Sequence, residues 1–417
     1  MEIFKFGGAS VKDADSIKNM ISVLRKADVS NLIIVVSAMG KTTNALEALV
    51  HSYINSTDDL QTHIENLRMY HVDIISSLFE TKEEPVFDKV DSLFADLELT
   101  IKRNKSTHYD FIYDQLVGYG ELLSTTIISE YLKVCGYSNT WTDARELIKT
   151  SNNYRVAEVD WEDSKRNIQA KMDEKGIYIT QGFIGSDYHN FTTTLGREGS
   201  DYTAAIIAYC LNATSVTIWK DVPGVLNADP RIFENTQLLS EISYKEAIEL
   251  AFYGASVIHP KTLQPLQTKE IPLYVKSFLS PEATGTVVRK GLAITPNVPC
   301  YIVKKNQILI SLSSLDFSFI VERNISDIFT LFNQYQIKVT LIQNSAISFS
   351  VCVEDIFNSF ATLLQELKSK FRVVYSTDVS LFTIRHFTEE AIQNAEKGKE
   401  VLLTQTTRET YQMVSKD

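Results

Sequence analysis

The sequence predicts an α/β protein in two parts, an α/β sandwich over residues 1 to about 290 and a smaller α+β region after it. In the first part, short apolar strands alternate with helical segments, the pattern of a mainly parallel sheet covered by helices. From about Pro296 the order becomes β-α-β-β-α-β, and a shorter partial copy follows. With 417 residues, of which 44% are hydrophobic and 22% charged, the chain can bury a large core.

Charge and cysteine content limit the classes of partner. The net charge of −11 argues against non-specific binding to nucleic acid or membranes and favours a small-molecule ligand. The four cysteines, Cys135, Cys210, Cys300 and Cys352, lie far apart without metal-binding spacing, so we expect reduced packing residues. The N-terminus enters a strand without a signal-peptide pattern, and no apolar run reaches membrane-spanning length. We therefore expect a cytoplasmic protein.

The N-terminus has the strand, glycine turn and helix order of phosphate-binding α/β proteins. A buried strand over residues 3–6 ends at a glycine turn, and a helix is predicted over residues 11–26. Lys5 lies just before the glycines, where its ammonium group can face a phosphate held by the Gly7 and Gly8 amides. The alternative is a tight turn beside a surface lysine. The spacing fits neither a P-loop nor a dinucleotide-binding fingerprint.

Two further polar turns adjoin predicted elements. A nearly continuous apolar strand over residues 31–37 leads into a hydroxyl-rich turn that contains Thr43. Ligands of open α/β sheets bind at such strand ends, so this turn is a candidate contact. Residues 42–103 are predicted to be helical with two breaks, and another helix starts at a glycine-flanked Glu121. That carboxylate is either a solvated first-turn glutamate or a ligand for a substrate ammonium group.

A hydroxyl-rich turn with two glycines begins at Thr192. It carries Arg197 and Glu198 and leads into a helix predicted over residues 204–211. A helix N-terminus after such a turn is a candidate anion site. The alternative is an ordinary helix start capped by Ser200 or Asp201.

A turn-dense segment over residues 220–231 follows a strand predicted at 215–219. Asp221 and Arg231 are candidate polar contacts to a nucleotide there, and the alternative is a long surface loop. A last strand, predicted over residues 273–277, completes the sandwich.

Six motifs resemble those of the aspartate kinases in order and spacing. They are FKFGGAS at residues 4–10, GYGE at 118–121, TQGF at 180–183, TTTLGREGSDYT at 192–203, DVPG with DPR at 221–231, and IHP at 258–260. The match covers essentially the whole chain. It implies the three-layer αβα sandwich of the amino-acid-kinase fold over residues 1–292, followed by two ferredoxin-like α+β ACT domains at 299–375 and 376–417. The second ACT domain is short, so we expect it to borrow a strand near residues 300–305.

The resemblance implies that the chain transfers the γ-phosphoryl group of ATP to the β-carboxylate of L-aspartate (EC 2.7.2.4). The product is 4-phospho-L-aspartate, and the reaction is the first step of lysine, threonine and methionine biosynthesis. A carboxylate with a pKa of about 3.9 is already ionised at pH 7, so the nucleophile needs no general base. Catalysis then rests on positioning and on cations, with Mg²⁺ carried by ATP and no separate metal site.

The same resemblance assigns the site residues by position. Lys5 would stabilise the transferred phosphoryl group, Asp201 would orient Lys5 or the metal–phosphate cluster, and Arg197 would grip a substrate carboxylate. Glu121 would bind the substrate ammonium group. Thr43 and Ser200 would donate hydroxyls to carboxylate oxygens. The implied nucleotide contacts are Lys5, Gly7, Gly8, Ser10, Lys220, Asp221, Leu226, Arg231 and Ser256.

Some positions depart from the family pattern. Glu198 replaces a glycine that many members carry, and Ser256 stands where several have a lysine near the nucleotide, so we hypothesise that Lys220 takes over that contact with ATP. Thr340 and Ala346 stand where lysine-inhibited relatives carry acidic residues. We therefore expect that lysine feedback is lost or that a different amino-acid effector binds the ACT domains. A homodimer is expected by analogy.

Two other functions compete with this interpretation. One is a kinase of the same fold that acts on glutamate, N-acetylglutamate, carbamate or a nucleotide, which the ACT-like tail argues against. The other is a catalytically silent amino-acid-binding regulator, which the intact Lys5, Arg197 and Asp201 argue against. The sequence to Asp417 contains no dinucleotide-binding domain. We thus expect a monofunctional enzyme and not a fusion with homoserine dehydrogenase.

Overall fold

A computed structural model of the chain describes residues 1–27, 30–81, 83–172, 174–255, 258–291, 293–316 and 318–416. Among these residues, one compact unit comprises 1–225, 238–248 and 258–295, and a second comprises 226–237, 249–255 and 296–416. Each unit contains its own β-sheet. Within the described ranges, no helix is both long and apolar enough to cross a lipid bilayer.

Eleven strands are described in the first unit. In chain order they are β1 (Glu2–Phe6), β2 (Leu32–Val36), β3 (Thr140–Thr142), β4 (Ile177–Gln181), β5 (Ile184–Ser186), β6 (Thr192–Thr194), β7 (Ser215–Lys220), β8 (Glu241–Ser243), β9 (Leu273–Ser277), β10 (Thr286–Arg289) and β11 (Ile294–Thr295). Nine of them form a mainly parallel sheet in the order β11-β8-β10-β9-β7-β1-β2-β4-β3, while β5 and β6 form a separate antiparallel hairpin.

The helices of this part of the chain follow the strands in alternation. After a 3₁₀ turn at Gly8–Val11 they are α1 (Ala14–Ala27), α2 (Thr42–Ile54), α3 (Leu60–Leu78), α4 (Pro85–Arg103), α5 (Tyr109–Val117), α6 (Tyr119–Val134), α7 (Ala144–Leu147), α8 (Trp161–Met172), α9 (Gly199–Leu211), α10 (Tyr244–Tyr253) and α11 (Pro260–Lys269). Helix α1 is typical of these elements, because its buried residues Ile17, Met20, Ile21 and Leu24 recur at helical spacing along one side.

The central strands are buried on both faces. On one face, Phe4 and Phe6 of β1 pack into a hydrophobic cluster with Ile34 of β2 and residues of helices α1 to α6. On the opposite face, Ile3 and Ile33 are fully buried, and α9 contacts β1, β2 and β7. Two helical layers around one sheet confirm the predicted three-layer αβα sandwich.

Several element boundaries differ from the sequence predictions. Residues Thr192–Thr194 form strand β6 and not a turn, and α9 begins at Gly199 and not near residue 204. Glu198, and neither Ser200 nor Asp201, occupies the N-cap position of α9. Helices α5 and α8 were not predicted, and β10 and β11 follow β9, which had been predicted as the last strand.

The second unit contains a six-stranded antiparallel sheet in the order β13-β14-β12-β15-β17-β16. Its elements are β12 (Cys300–Ser313), α12 (Glu322–Gln334), β13 (Lys338–Asn344), β14 (Ser348–Glu354), α13 (Phe360–Lys370), β15 (Arg372–Arg385), α14 (Glu389–Glu396), β16 (Glu400–Thr406) and β17 (Thr410–Lys416). Strand β15 runs without interruption from Arg372 to Arg385. Such a sheet with helices in this order agrees with the predicted α+β regulatory region.

The long strands β12 and β15 connect the two halves of this sheet. Ile310 of β12, Phe332 of α12 and Phe349 of β14 pack into one core. Ile384 of β15 and Met413 of β17 pack into another. The N-terminal part of β12 pairs with the C-terminal part of β15, from the residue pair 300 and 385 to the pair 304 and 381. The expectation that a strand near residues 300–305 completes the second ACT domain stays a prediction. The predicted boundary at 375/376 stays a prediction.

Candidate active site

Lys5 is a buried cation in the central strand of the first unit. Side chains alternate along β1, so Phe4 and Phe6 enter one core while Lys5 faces the side of the sheet on which α9 packs. The Lys5 side chain is only 10% exposed, and its ammonium nitrogen lies 2.6 Å from a carboxylate oxygen of Asp201. A lysine at this depth requires such a partner.

Asp201 links two lysines from different strands. It lies in the first turn of α9, its side chain is 3% exposed, and Lys220 at the end of β7 approaches its second oxygen to 3.5 Å. Burial of the Asp201 carboxylate works to raise its pKa, but the charges of Lys5 and Lys220 outweigh that effect and hold the pKa below its usual range. Asp201 is therefore an ionised bridge between two cations.

The turn before α9 has an unusual backbone. Gly196 and Glu198 both have positive φ angles, of 80° and 54°, a region that favours glycine. A Cβ atom on Gly199 would lie 2.7 Å from the ring of Phe183, so this position needs glycine. One carboxylate oxygen of Glu198 is buried and, within the described residues, has no hydrogen-bond partner. Arg197 is exposed beside it.

Glu121 is a buried acid at the start of α6. The helix approaches α2 closely, since a Cβ on Gly120 would lie 3.1 Å from the Thr42 side chain and 3.2 Å from the Leu46 side chain. The Ala38 backbone N–H donates to one oxygen of Glu121 at 3.3 Å, and among the described residues the other oxygen, also buried, has no partner. Burial raises the pKa of Glu121 to about 8. This acid is mostly neutral near pH 7 and has one oxygen ready for a donor.

A cavity of about 410 Å³ brings these residues together. Its lining contains Lys5, Thr43, Glu121, Arg197, Ser200, Asp201 and Lys220, all of which were predicted from the sequence as catalytic or binding residues. They come from five separate segments of the first unit. The cavity therefore presents four kinds of group to a ligand: paired lysines, an arginine, an acid with an open oxygen, and hydroxyls.

Other predicted nucleotide contacts do not line this cavity. A Cβ on Gly8 would lie 2.9 Å from the carbonyl oxygens of Ala38 and Gly40, which shows tight loop packing at that glycine. The Ser10 hydroxyl donates to the carbonyl of Trp219 at 3.3 Å. The predicted contacts outside the cavity lining are Gly7, Gly8, Ser10, Asp221, Leu226 and Arg231, and they stay predictions.

Two of those predicted contacts belong to the second unit. Leu226 and Arg231 fall in its segment 226–237. Arg231 is exposed there and forms a two-bond ion pair with Asp229, at 3.0 and 2.7 Å. Ser256 lies outside the described residues.

The sequence did not point to several lining residues. They are Ser37, Tyr113, Arg155, Phe183, Thr194, Gly196 and Gly199, together with Glu198, for which no role was predicted. Tyr113 and Arg155 carried no usable signal, because α5 was not predicted and the segment around Arg155 resembled an ordinary polar turn. Phe183, Thr194, Gly196 and Gly199 lay in quoted motifs, and the turn with the two glycines was a candidate anion site, but none of the four was named as a site residue.

Comparison with known proteins defines the class of protein first. The profile of the amino acid kinase family matches residues 1–277. The lysine-sensitive aspartokinase 3 of Escherichia coli K12 is 31% identical to this chain over 395 residues, which cover 92% of this chain and 86% of that protein.

Solved structures agree with this match. Aspartokinase III of E. coli in complex with lysine and aspartate superposes with a TM-score of 0.82 and 28% identity, over 99% of this chain and 95% of the other. The same E. coli protein in complex with aspartate and ADP gives a TM-score of 0.81 and 27% identity, over 100% and 96%. The chain therefore belongs to the amino acid kinase family and, within it, to the aspartokinases, as the motifs predicted.

Proposed function

We propose that this chain is an ATP-dependent aspartate kinase that forms 4-phospho-L-aspartate, the first step of lysine, threonine and methionine biosynthesis. The observation that carries the proposal is one cavity in which the Lys5–Asp201–Lys220 cluster lies with Glu121 and Arg197. Lysines suit a phosphoryl group, while an acid and an arginine suit the ammonium and α-carboxylate of an amino acid. The aspartate and ADP bound by the E. coli relative agree with this ligand pair.

Catalysis in this proposal depends on cations and positioning. The β-carboxylate of aspartate is ionised at pH 7 and attacks the γ-phosphorus without a general base. Two anions must approach each other, so Lys5 and Lys220 neutralise the charge of the transferred phosphoryl group as it moves between the leaving and attacking oxygens. Asp201 keeps both lysines in place.

The amino-acid end of the substrate occupies the other side of the cavity. Arg197 binds the α-carboxylate, for which a planar guanidinium group offers two parallel donors. The open oxygen of Glu121 accepts from the substrate ammonium group. Thr43 and Ser200 donate their hydroxyls to carboxylate oxygens. This arrangement leaves the β-carboxylate facing the lysines.

Magnesium enters with the nucleotide in this proposal. The described residues contain no group of three His, Cys, Asp or Glu side chains that could hold a metal by themselves. An ion bound to ATP phosphates needs at most one or two protein carboxylates. Glu198, which has one buried oxygen without a partner among the described residues, lines the cavity, so the residues present fit such an ion. When bound, Mg²⁺ neutralises phosphate charge. The nucleotide contacts predicted at Gly7, Gly8, Ser10, Asp221, Leu226, Arg231 and Ser256 complete the proposal.

Regulation by an amino acid belongs to the six-stranded sheet of the second unit. The E. coli relative is named lysine-sensitive, and its structure contains lysine. Thr340 here donates its hydroxyl to Gln307 and to the Cys352 carbonyl, at 3.1 and 2.9 Å, so it offers no charge to a ligand ammonium group. Ala346 likewise carries no carboxylate. We propose that lysine does not inhibit this enzyme, that it acts as a homodimer, and that it is cytoplasmic.

A hydroxamate assay tests the proposed reaction, because hydroxylamine traps an acyl phosphate. Purified protein with ATP, Mg²⁺ and L-aspartate should give aspartyl hydroxamate, while glutamate, N-acetylglutamate and carbamate should give little product. Absence of product with aspartate would refute the proposed function. The assay repeated with lysine, threonine and methionine tests regulation, and inhibition by lysine would contradict the assignment at Thr340 and Ala346.

A further inference from the structure

Arg155 lies on the wall of the same cavity and has no role in the mechanism described so far. Its backbone has a φ angle of 68°, in the left-handed region where a long side chain is uncommon. Backbone strain of this kind persists where surrounding structure imposes it, and it is concentrated at functional sites. The Arg155 backbone N–H donates to the buried carboxylate of Asp114 at 2.9 Å, which fixes the strained residue in place.

The Arg155 guanidinium group lies over two aromatic rings. Its guanidinium carbon is 4.5 Å from the ring centre of Tyr113, a buried residue that also lines the cavity, and 5.4 Å from the ring centre of Tyr109. Cation–π contacts of this type hold a guanidinium group over the rings while its N–H groups can still donate. The side chain is therefore held at the cavity wall before a ligand arrives.

Within the described residues, the guanidinium group of Arg155 forms two long ion pairs, with Glu47 and Asp110, but no hydrogen bond. The nearest carboxylates, of Glu47 and Asp110, lie 3.7 and 3.6 Å from its nitrogens, which is longer than a hydrogen bond. No hydrogen bond from this guanidinium to a described residue is present. An oriented cation with open donors on a cavity wall is suited to bind an anion.

We propose that Arg155 is a second binding residue for the α-carboxylate of the substrate, together with Arg197, which lines the same cavity. This inference rests on the proposed function. The β-carboxylate must face Lys5 and Lys220, and Glu121 takes the ammonium group, so the α-carboxylate is the remaining anion of aspartate. Arg155 comes from the segment before α8 and Arg197 from the turn before α9. Two arginines on separate segments fix both the position and the plane of one carboxylate.

The variant Arg155→Gly gives the sharpest test. Glycine adopts a φ angle of 68° without strain, so this change removes the guanidinium group and relaxes the backbone. We expect the KM for aspartate, and its Kd by calorimetry without ATP, to rise roughly 10- to 100-fold, as for loss of a hydrogen-bonded charge. The KM for ATP should change less than about 3-fold, and the melting temperature should not fall. Arg155→Lys keeps the charge and should recover part of the aspartate affinity.

The control is Arg166→Ala, which removes an exposed arginine of α8 that is paired with Asp163 and does not line the cavity. It should leave both KM values unchanged. Unchanged aspartate affinity in Arg155→Gly would overturn the inference. A lower melting temperature together with equal losses of affinity for aspartate and ATP would also overturn it, because that result would indicate a structural role for Arg155. The proposed function fails separately, if the unmodified protein neither binds aspartate nor forms hydroxamate.

Discussion

The free energy of unfolding of the first unit should decrease strongly as pH rises, and replacing Glu121 with glutamine should abolish this decrease. In the folded protein, burial raises the pKa of Glu121 to about 8, compared with 4.5 for an unperturbed glutamate. Between these pH values the folded state holds a proton that the unfolded chain has released. The free energy of unfolding therefore falls as pH rises, by 2.303RT for each pH unit. Over the interval of 3.5 units the loss from this group is about 5 kcal/mol.

Urea unfolding between pH 4 and pH 9 measures this effect. The three tryptophans of the chain, Trp141, Trp161 and Trp219, all lie in the first unit, so their fluorescence follows the unfolding of that unit. Glutamine resembles the protonated acid, and Glu121→Gln should match the unmodified protein near pH 4 and exceed its stability by about 5 kcal/mol at pH 9. Glu65→Gln, at an exposed position of α3, is the matched control and should follow the unmodified protein at every pH.

The same proton connects stability to substrate binding. A substrate ammonium group beside Glu121 favours the charged carboxylate, so aspartate binding near pH 7 should release a proton from this group, whose pKa burial raises to about 8. Calorimetry of aspartate binding in phosphate and in Tris detects this release, because the two buffers take up protons with different heats. Equal heats in both buffers, or identical pH profiles of unfolding for the unmodified protein and Glu121→Gln, would refute the reasoning.

Three further changes test individual parts of the site. Lys220→Ala should raise the KM for ATP roughly 10-fold through loss of a phosphate contact, and an unchanged KM would exclude that role. Gly8→Ala should lower the free energy of unfolding in urea by about 2 kcal/mol, because its Cβ would lie 2.9 Å from two carbonyl oxygens. Gly7→Ala should lower it less, because its Cβ would meet only the end of the Lys5 side chain, at 3.4 Å. Equal losses in the two variants would contradict this. Glu198→Gly should stabilise the folded protein by about 1–3 kcal/mol more than Glu270→Gly does. Both residues have positive φ angles, but only Glu198 has a buried oxygen without a described partner. Equal gains in stability would show that this oxygen is satisfied.

The predictable part of the site consists of residues at the ends of elements with strong local signals. Lys5 precedes a glycine turn, Arg197 lies just before α9 and Asp201 lies in its first turn, so each could be named as a candidate from a short stretch of sequence. The mainly parallel sheet was predictable for the same reason, because continuous apolar strands such as β2 indicate burial on both faces. Local sequence patterns of this kind correspond directly to elements of the folded structure.

The remaining features depend on contacts between distant segments. Thr194 donates its backbone N–H and its hydroxyl to Asp114, 80 residues earlier in the chain, and nothing in either segment predicts that pairing. Arg155 enters the cavity wall through stacking on Tyr113 of α5, a helix that the sequence did not reveal. The raised pKa of Glu121 follows mainly from its burial, and only packing determines that burial.

The charge pattern of the cavity decides between two roles for Asp201. A general base works best with a pKa near the working pH, but the pKa of Asp201 lies below its usual range because Lys5 and Lys220 lie beside it. The β-carboxylate of aspartate carries no proton to remove at pH 7 in any case. Without this carboxylate, two ammonium groups would face each other in a buried site with no anion between them. In the proposed mechanism, Asp201 is therefore the counter-ion that holds Lys5 and Lys220 beside each other until the phosphoryl group reaches them.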